Sequence, residues 1–184
     1  MIGPLVYTLL ALIVAGIVHL SATLAMPWVA ARDGFLRMTP LLRDNEMVLV
    51  APADMRAQLP FSDPALAVAG CRYVLDKGPV RVRLATGTTP ISVVFLRKGA
   101  GVFQSLTDRA ATQGILDVII ATPEQMSKIT ALDSDDEPVQ EIRITSTDEL
   151  GLVLVRGVVP TPSQRAGIER QVRAATCEQE TLDR

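Results

Sequence analysis

His19 is the only histidine in 184 residues, and it lies in a run from Met1 to Ala31 that holds no Lys, Arg, Asp or Glu. The chain beyond that run has no imidazole to act as a general base. This excludes Ser-His-Asp and Cys-His catalysis there, and with it the ordinary zinc sites built from clustered Cys and His. Two cysteines, Cys71 and Cys177, are too few and too far apart for a metal motif. In an oxidising compartment they can close one disulfide over a loop of about 105 residues, worth ~4–5 kcal/mol in the chain-entropy model. In a reducing compartment they are two buried thiols.

Carboxylates are the remaining chemistry. Asp133, Asp135, Asp136 and Glu137 form the one acidic cluster. Calcium takes such oxygens, but the spacing lacks the glycine and the distal bidentate glutamate of an EF-hand loop. A solvated loop is the better reading. Asp63, Asp108 and Asp117 could carry acid–base work only if two of them converge to within about 10 Å. Turn hydrogen bonds and ion pairs are the simpler use of these side chains, and of nearby Arg72, Arg81 and Arg109. Gly99 and Gly101 flank Ala100 in a hairpin turn and need no phosphate to explain them. Ser92 and Ser105 have no motif around them. The residues thus assign no catalytic group, no cofactor site and no metal ligand. Net charge is −2 with Lys and Arg scattered, and aromatic residues are 4% of the chain. Nucleic acid, which needs a basic patch and stacking rings, is excluded as a partner.

The elements that would position these residues begin with the charge-free run. Leu5 to about Met26 is long enough, as a helix, to cross the roughly 30 Å of a bilayer core. A signal peptide is the main rival. It wants a basic start and a shorter apolar core, and neither is present, although small residues near the end of the run leave a cleavage site open. Trp28 fits the membrane interface, and Pro27 suits a helix ending there. Arg32, Arg37 and Arg43 follow the run, which under the positive-inside rule turns the rest of the chain toward the cytoplasm. Thr8, Ala11, Ala15, His19 and Ala22 recur at three- and four-residue steps on one side, with Leu12 intruding. That stripe reads as a contact face for a partner helix, or as ordinary small residues with a locally satisfied His19.

Residues 1–31 are therefore expected to be a transmembrane anchor, 32–45 a juxtamembrane connector and 46–184 a β-rich soluble domain. In the connector, Phe35, Met38, Leu41 and Leu42 have helical spacing. Strands are expected at 46–51, 66–75, 80–84, 91–96, 102–106, 116–121, 139–147 and 150–159, with a turn-rich loop over 52–64. The apolar run Leu150 to Val159 reads as a central strand buried on both faces. Thr122-Pro123-Glu124-Gln125 opens a helix to about Leu132, with a cap, a proline at the first position and a Gln three residues on. Thr161-Pro162-Ser163-Gln164 opens a second, whose apolar face is Ile168, Val172 and Ala175 and whose end lies near Cys177. Seven or eight strands with short connections predict a mainly β fold, an antiparallel sandwich or jelly-roll-like domain with two peripheral helices behind one transmembrane helix.

Set together, several segments resemble a known group. Leu59-Pro60-Phe61-Ser62-Asp63-Pro64-Ala65-Leu66-Ala67, Cys71-Arg72-Tyr73 and Gly78-Pro79-Val80-Arg81-Val82 carry the likeness. Ile91-Ser92-Val93-Val94-Phe95, Ser105-Leu106-Thr107-Asp108-Arg109 and Leu116-Asp117-Val118-Ile119 continue it. The chain is similar to the small membrane-anchored bacterial proteins of the domain of unknown function 1254 family. It departs from that pattern near Ile91 and Leu96, where a Trp and an Asp are usual. The resemblance implies a single-pass protein of the bacterial inner membrane with its β domain in the periplasm. It also implies a small membrane partner of the related domain of unknown function 1214 family. It implies no activity, cofactor or catalytic residue. Three functions are open on these grounds: a non-enzymatic domain that assembles with another envelope protein, a module binding a hydrophobic or cell-wall-derived molecule, and a carboxylate enzyme.

Overall fold

The structure, a computed structural model, describes residues 2–59, 61–133 and 140–181. In chain order the elements are α1 (Ile2–Met38), β1 (Val48–Val50), α2 (Pro52–Gln58), β2 (Leu66–Val74), β3 (Val80–Ala85), β4 (Ile91–Arg97) and β5 (Gly101–Thr107). They continue with β6 (Ile115–Ala121), α3 (Pro123–Leu132), β7 (Ile142–Thr145), β8 (Leu150–Val158), α4 (Arg165–Arg173) and β9 (Thr176–Gln179).

The strands form two sheets. One has five strands in the order β1-β2-β8-β4-β5, all antiparallel, and the other has four in the order β7-β6-β3-β9. The long apolar run becomes β8, at the middle of the larger sheet between β2 and β4. Its odd-numbered side chains Val153 and Val155 join one apolar cluster with Ala69, Cys71, Tyr73, Val93 and Phe95. Val82, Leu84, Val118, Ile120 and Cys177 of the smaller sheet belong to the same cluster. Its even-numbered side chains Leu152 and Leu154 face the other way. There they join a second cluster with Phe35 and Met38 of α1, Leu42, Val50, Met55 of α2 and Val68. The larger sheet is thus apolar on both faces, and the second face is covered by the end of α1 and by α2.

Glycine is required where α-carbons approach these layers closely. A Cβ at Gly151 would overlap the Tyr73 ring, and one at Gly157 would lie 2.6 Å from Ile168 of α4. Tyr73 itself is wholly buried, and its hydroxyl shares a 3.1 Å hydrogen bond with Ser146 Oγ. Ser146 Oγ donates in turn to the Asp148 carbonyl at 2.7 Å, so this buried hydroxyl pair is satisfied.

Pro27 does not end the first helix: α1 runs through it to Met38, without a break at Ala31. One proline removes one backbone donor, and the turns beyond it are held by Phe35 and Met38, each only 2% exposed against the larger sheet. The 52–64 loop contains a helix, α2, with Pro52 in its first turn and no side-chain cap at Ala51. With α3 and α4 it makes three helices beside the strands rather than two. The second expected cap does not form: Thr161 makes no side-chain bond to a backbone amide, and the segment gives a 3-10 turn (Pro162–Gln164) and then α4, which stops at Arg173. Cys177 lies not at a helix end but on β9, whose Cα register opposes it to Val82. The strands number nine among the described residues. One pairing is parallel, β6 with β7, because α3 crosses over between them. At the start of α3 the expected capping box is present: Gln125 N donates to Thr122 Oγ1 and Thr122 N to Gln125 Oε1.

Candidate functional site

The sequence-derived candidates separate into different regions. Cys71 on β2 and Cys177 on β9 are joined by a disulfide with Cα atoms 6.5 Å apart, which ties the larger sheet to the edge of the smaller one. Among the described residues no cysteine is free. Thr8, Ala11, Ala15, His19 and Ala22 are all exposed on α1. Ala11, Ala15, His19 and Ala22 line one shallow open face with Tyr7, Leu10, Val14 and Val18. Thr8 is outside that face and donates its hydroxyl to the Pro4 carbonyl at 2.8 Å. The helix is long and apolar enough to cross a membrane over the 26 residues Gly3–Trp28, none of which is buried against the rest of the chain.

The three candidate aspartates are used separately. Asp63 Oδ1 accepts from the Ala65 amide at 2.8 Å and shapes the turn before β2. Asp117 on β6 accepts from Arg83 Nε at 2.9 Å and lies 3.7 Å from Arg81, on the smaller sheet. Asp108 opens a 3-10 turn after β5. No hydrogen bond joins any two of them among the described residues. Of the acidic cluster, Asp133 is clamped by Arg143 at 2.5 and 2.6 Å, and that contact holds its carboxyl below the ordinary aspartate range. Asp135, Asp136 and Glu137 lie outside the described residues. Among those described, no group of three or more His, Cys, Asp or Glu side chains is arranged to hold a metal.

Two arginine-centred arrangements lie outside the sequence-derived candidates. Arg97 lies with its guanidinium 4.6 Å from the centre of the Phe103 ring, donates to Thr147 Oγ1 at 2.5 Å and approaches Asp148. Arg97 braces the loop that holds Ser146 through Thr147 and Asp148, while its buried Nε has no hydrogen-bond partner among the described residues.

The second arrangement is a cavity of about 510 Å³ on the outer face of the larger sheet, under α1 and α2. Met38, Val50, Met55, Leu66, Val68 and Leu154 supply apolar wall. Arg156 of β8 projects from the same face as Leu152 and Leu154, between Val68 of β2 and Ser92 of β4 in the register. It is half-buried, and burial lowers its guanidinium from the usual arginine range. No hydrogen bond, ion pair or ring contact engages it among the described residues. At the rim, Arg165 is engaged by the Pro64 carbonyl and by Glu169 at 3.4 Å. Phe61, wholly exposed, stands beside it. The sequence carries one signal for this site, a lone arginine inside the apolar run of β8.

No family model and no curated protein matches the chain. Solved structures share its fold. The VPA0106 protein of Vibrio parahaemolyticus superposes with a TM-score of 0.56 at 9% identity, covering 84% of this chain and 36% of its own. An uncharacterised protein of Burkholderia cenocepacia gives a TM-score of 0.50 at 12% identity, covering 76% of this chain and 36% of its own. The chain therefore spans about a third of the length of each. At these identities the likeness concerns the fold alone.

Proposed function

We propose that the protein is a membrane-tethered, non-enzymatic domain that works by assembling with another membrane protein. In this reading α1 spans the bilayer once, and the two sheets form a sandwich held at a fixed height above it. One observation carries the proposal: α1 is a single helix from Ile2 to Met38, exposed along its apolar span and buried at its far end in the second apolar cluster. Such a helix transmits the position of the membrane segment to the domain, which a flexible linker would not do. The separate use of Asp63, Asp108 and Asp117 removes support from the carboxylate-enzyme alternative.

The Cys71–Cys177 disulfide favours an oxidising compartment, hence the periplasmic side of a bacterial inner membrane. The arginines after the span argue the other way, and we give the disulfide more weight because it is a built feature of the core. The resemblance to the domain of unknown function 1254 family supports the same placement, and its companion family, domain of unknown function 1214, supplies a candidate partner. The face of Ala11, Ala15, His19 and Ala22 is the proposed contact, since small residues let helices approach and an imidazole can hydrogen-bond across. A photo-crosslinking residue at Ala15 of the membrane-embedded chain is expected to trap one membrane protein, with a yield that falls in His19→Leu. Absence of an adduct, or an adduct indifferent to His19→Leu, would sink the proposal.

A further inference from the structure

The cavity on the outer face of the larger sheet has the composition of a ligand site rather than of a packing defect. Its volume of about 510 Å³ lies in the range of small-molecule sites, roughly 300–1,000 Å³. Its wall is aliphatic, from Met38, Val50, Met55, Val68 and Leu154. A cavity of that kind alone would take any apolar molecule. Arg156 makes the difference. A guanidinium cannot shed its charge, and one at a cavity wall with no protein acceptor leaves its N–H donors open to whatever enters. Every other arginine near the cavity differs in one of these respects: Arg165 is held by Glu169 and a carbonyl, and Arg56 is exposed to water on α2. Arg156 is half-buried, faces the cavity and has five N–H donors that no described residue uses. Of the carboxylates at the rim, Asp63 is committed to the Ala65 amide and Glu169 to Arg165.

The geometry points to one occupant: an amphipathic anion, with a single apolar tail along the aliphatic wall and a carboxylate or phosphate monoester head on Arg156. Carboxylates and phosphates each offer two oxygens that match the guanidinium fork with two parallel hydrogen bonds. The location suits an amphiphile. Gly34 of α1 lines the cavity, only about 9 Å along the helix from Trp28 at the end of the apolar span. This inference does not depend on the protein having a protein partner.

Native mass spectrometry of the full chain in a non-ionic detergent, titrated with palmitate, hexadecanol and inorganic phosphate, tests it. One palmitate per chain is expected. Hexadecanol, with the tail but no charge, and phosphate, with the charge but no tail, are each expected to bind at least tenfold more weakly. Arg156→Gln should weaken palmitate by about 10- to 150-fold, the loss of a charged hydrogen bond worth 1.5–3 kcal/mol. Arg156→Lys, which keeps the charge but not the fork, should fall between the parent and Arg156→Gln. Leu59→Trp, which fills the cavity without touching the charge, should abolish binding while the melting curve stays that of a folded chain. Hexadecanol binding as well as palmitate, or phosphate binding as well as palmitate, would overturn the assignment. So would a palmitate affinity unchanged in Arg156→Gln.

Discussion

Replacing Cys71 and Cys177 together by alanine is expected to lower the stability of the folded chain by about 4–5 kcal/mol. The two residues are 106 apart, and a cross-link over a loop of about 100 residues removes roughly 4.7 kcal/mol of unfolded-state entropy. Both ends sit in the same apolar cluster, at 0% and 2% exposure, so no solvent-facing contact compensates for the loss. The link is the single covalent tie between the sheets beyond the chain itself. It also anchors β9, a four-residue edge strand that would otherwise depend on its pairing to β3. In a domain of this size the change corresponds to a fall of about 10–15 °C in Tm. Thermal unfolding followed by circular dichroism measures it directly. The parent protein in excess reductant should fall close to the Tm of the double variant, since both lack the link and differ only by two buried sulfur atoms. A double variant melting within a few degrees of the oxidised parent would show that the core, not the cross-link, sets the stability.

The second large effect is expected at Gly151. A methyl group added there would overlap both Cζ and the hydroxyl oxygen of Tyr73. The ring has no room to retreat. It is 0% exposed and tethered at its tip to Ser146, which is itself buried and bound to Asp148. Over-packing usually costs 1–3 kcal/mol, and an overlap this deep should cost at least about 3. Tyr73→Ala alone should cost about 3–5 kcal/mol for the lost ring and the cavity. The diagnostic case is the double variant. With the ring gone, the methyl introduced by Gly151→Ala meets nothing, so that substitution should add little in the Tyr73→Ala background. A coupling of roughly 3 kcal/mol in a urea-denaturation cycle is the expected outcome. Additive costs would mean that Gly151 is needed for its backbone freedom and not for its closeness to Tyr73.

These effects arise where distant segments meet, and the same distinction decides what can be read from the chain. The alternation of Val80, Val82 and Leu84 with Arg81 and Arg83 is a local pattern, and β3 follows from it with one buried face. The apolar run at 150–158 has no alternation because both sides of β8 are covered, one by the smaller sheet and one by α1 and α2. The capping box at Thr122 is complete within four residues and is equally legible. By contrast, Thr176–Gln179 carries no strand pattern of its own. It extends because β3 offers an unpaired edge and Cys177 is bonded to β2, and both causes lie about 100 residues away in sequence. The continuation of α1 past Pro27 depends likewise on the sheet that receives Phe35 and Met38. The cavity is invisible in the sequence for a related reason. Arg156 reads as the polar residue of a strand until α1 and α2 roof the face it points from.

The unbroken run of α1 into the second apolar cluster has a rotational consequence. A helix turns about 100° per residue, so burying Phe35 and Met38 against the sheet sets the angle at which His19 points from the apolar span. The helix behaves as a keyed shaft: a single residue inserted between Trp28 and Phe35 would swing the Ala15–His19 face by about 100° relative to the domain. Seven inserted residues would raise the domain by about 10 Å and restore the angle to within ~20°. A partner that engages both the Ala15–His19 face and the domain would tolerate neither a one-residue shift in angle nor, beyond its reach, a two-turn shift in height. A partner that engages the helix alone would be indifferent to both.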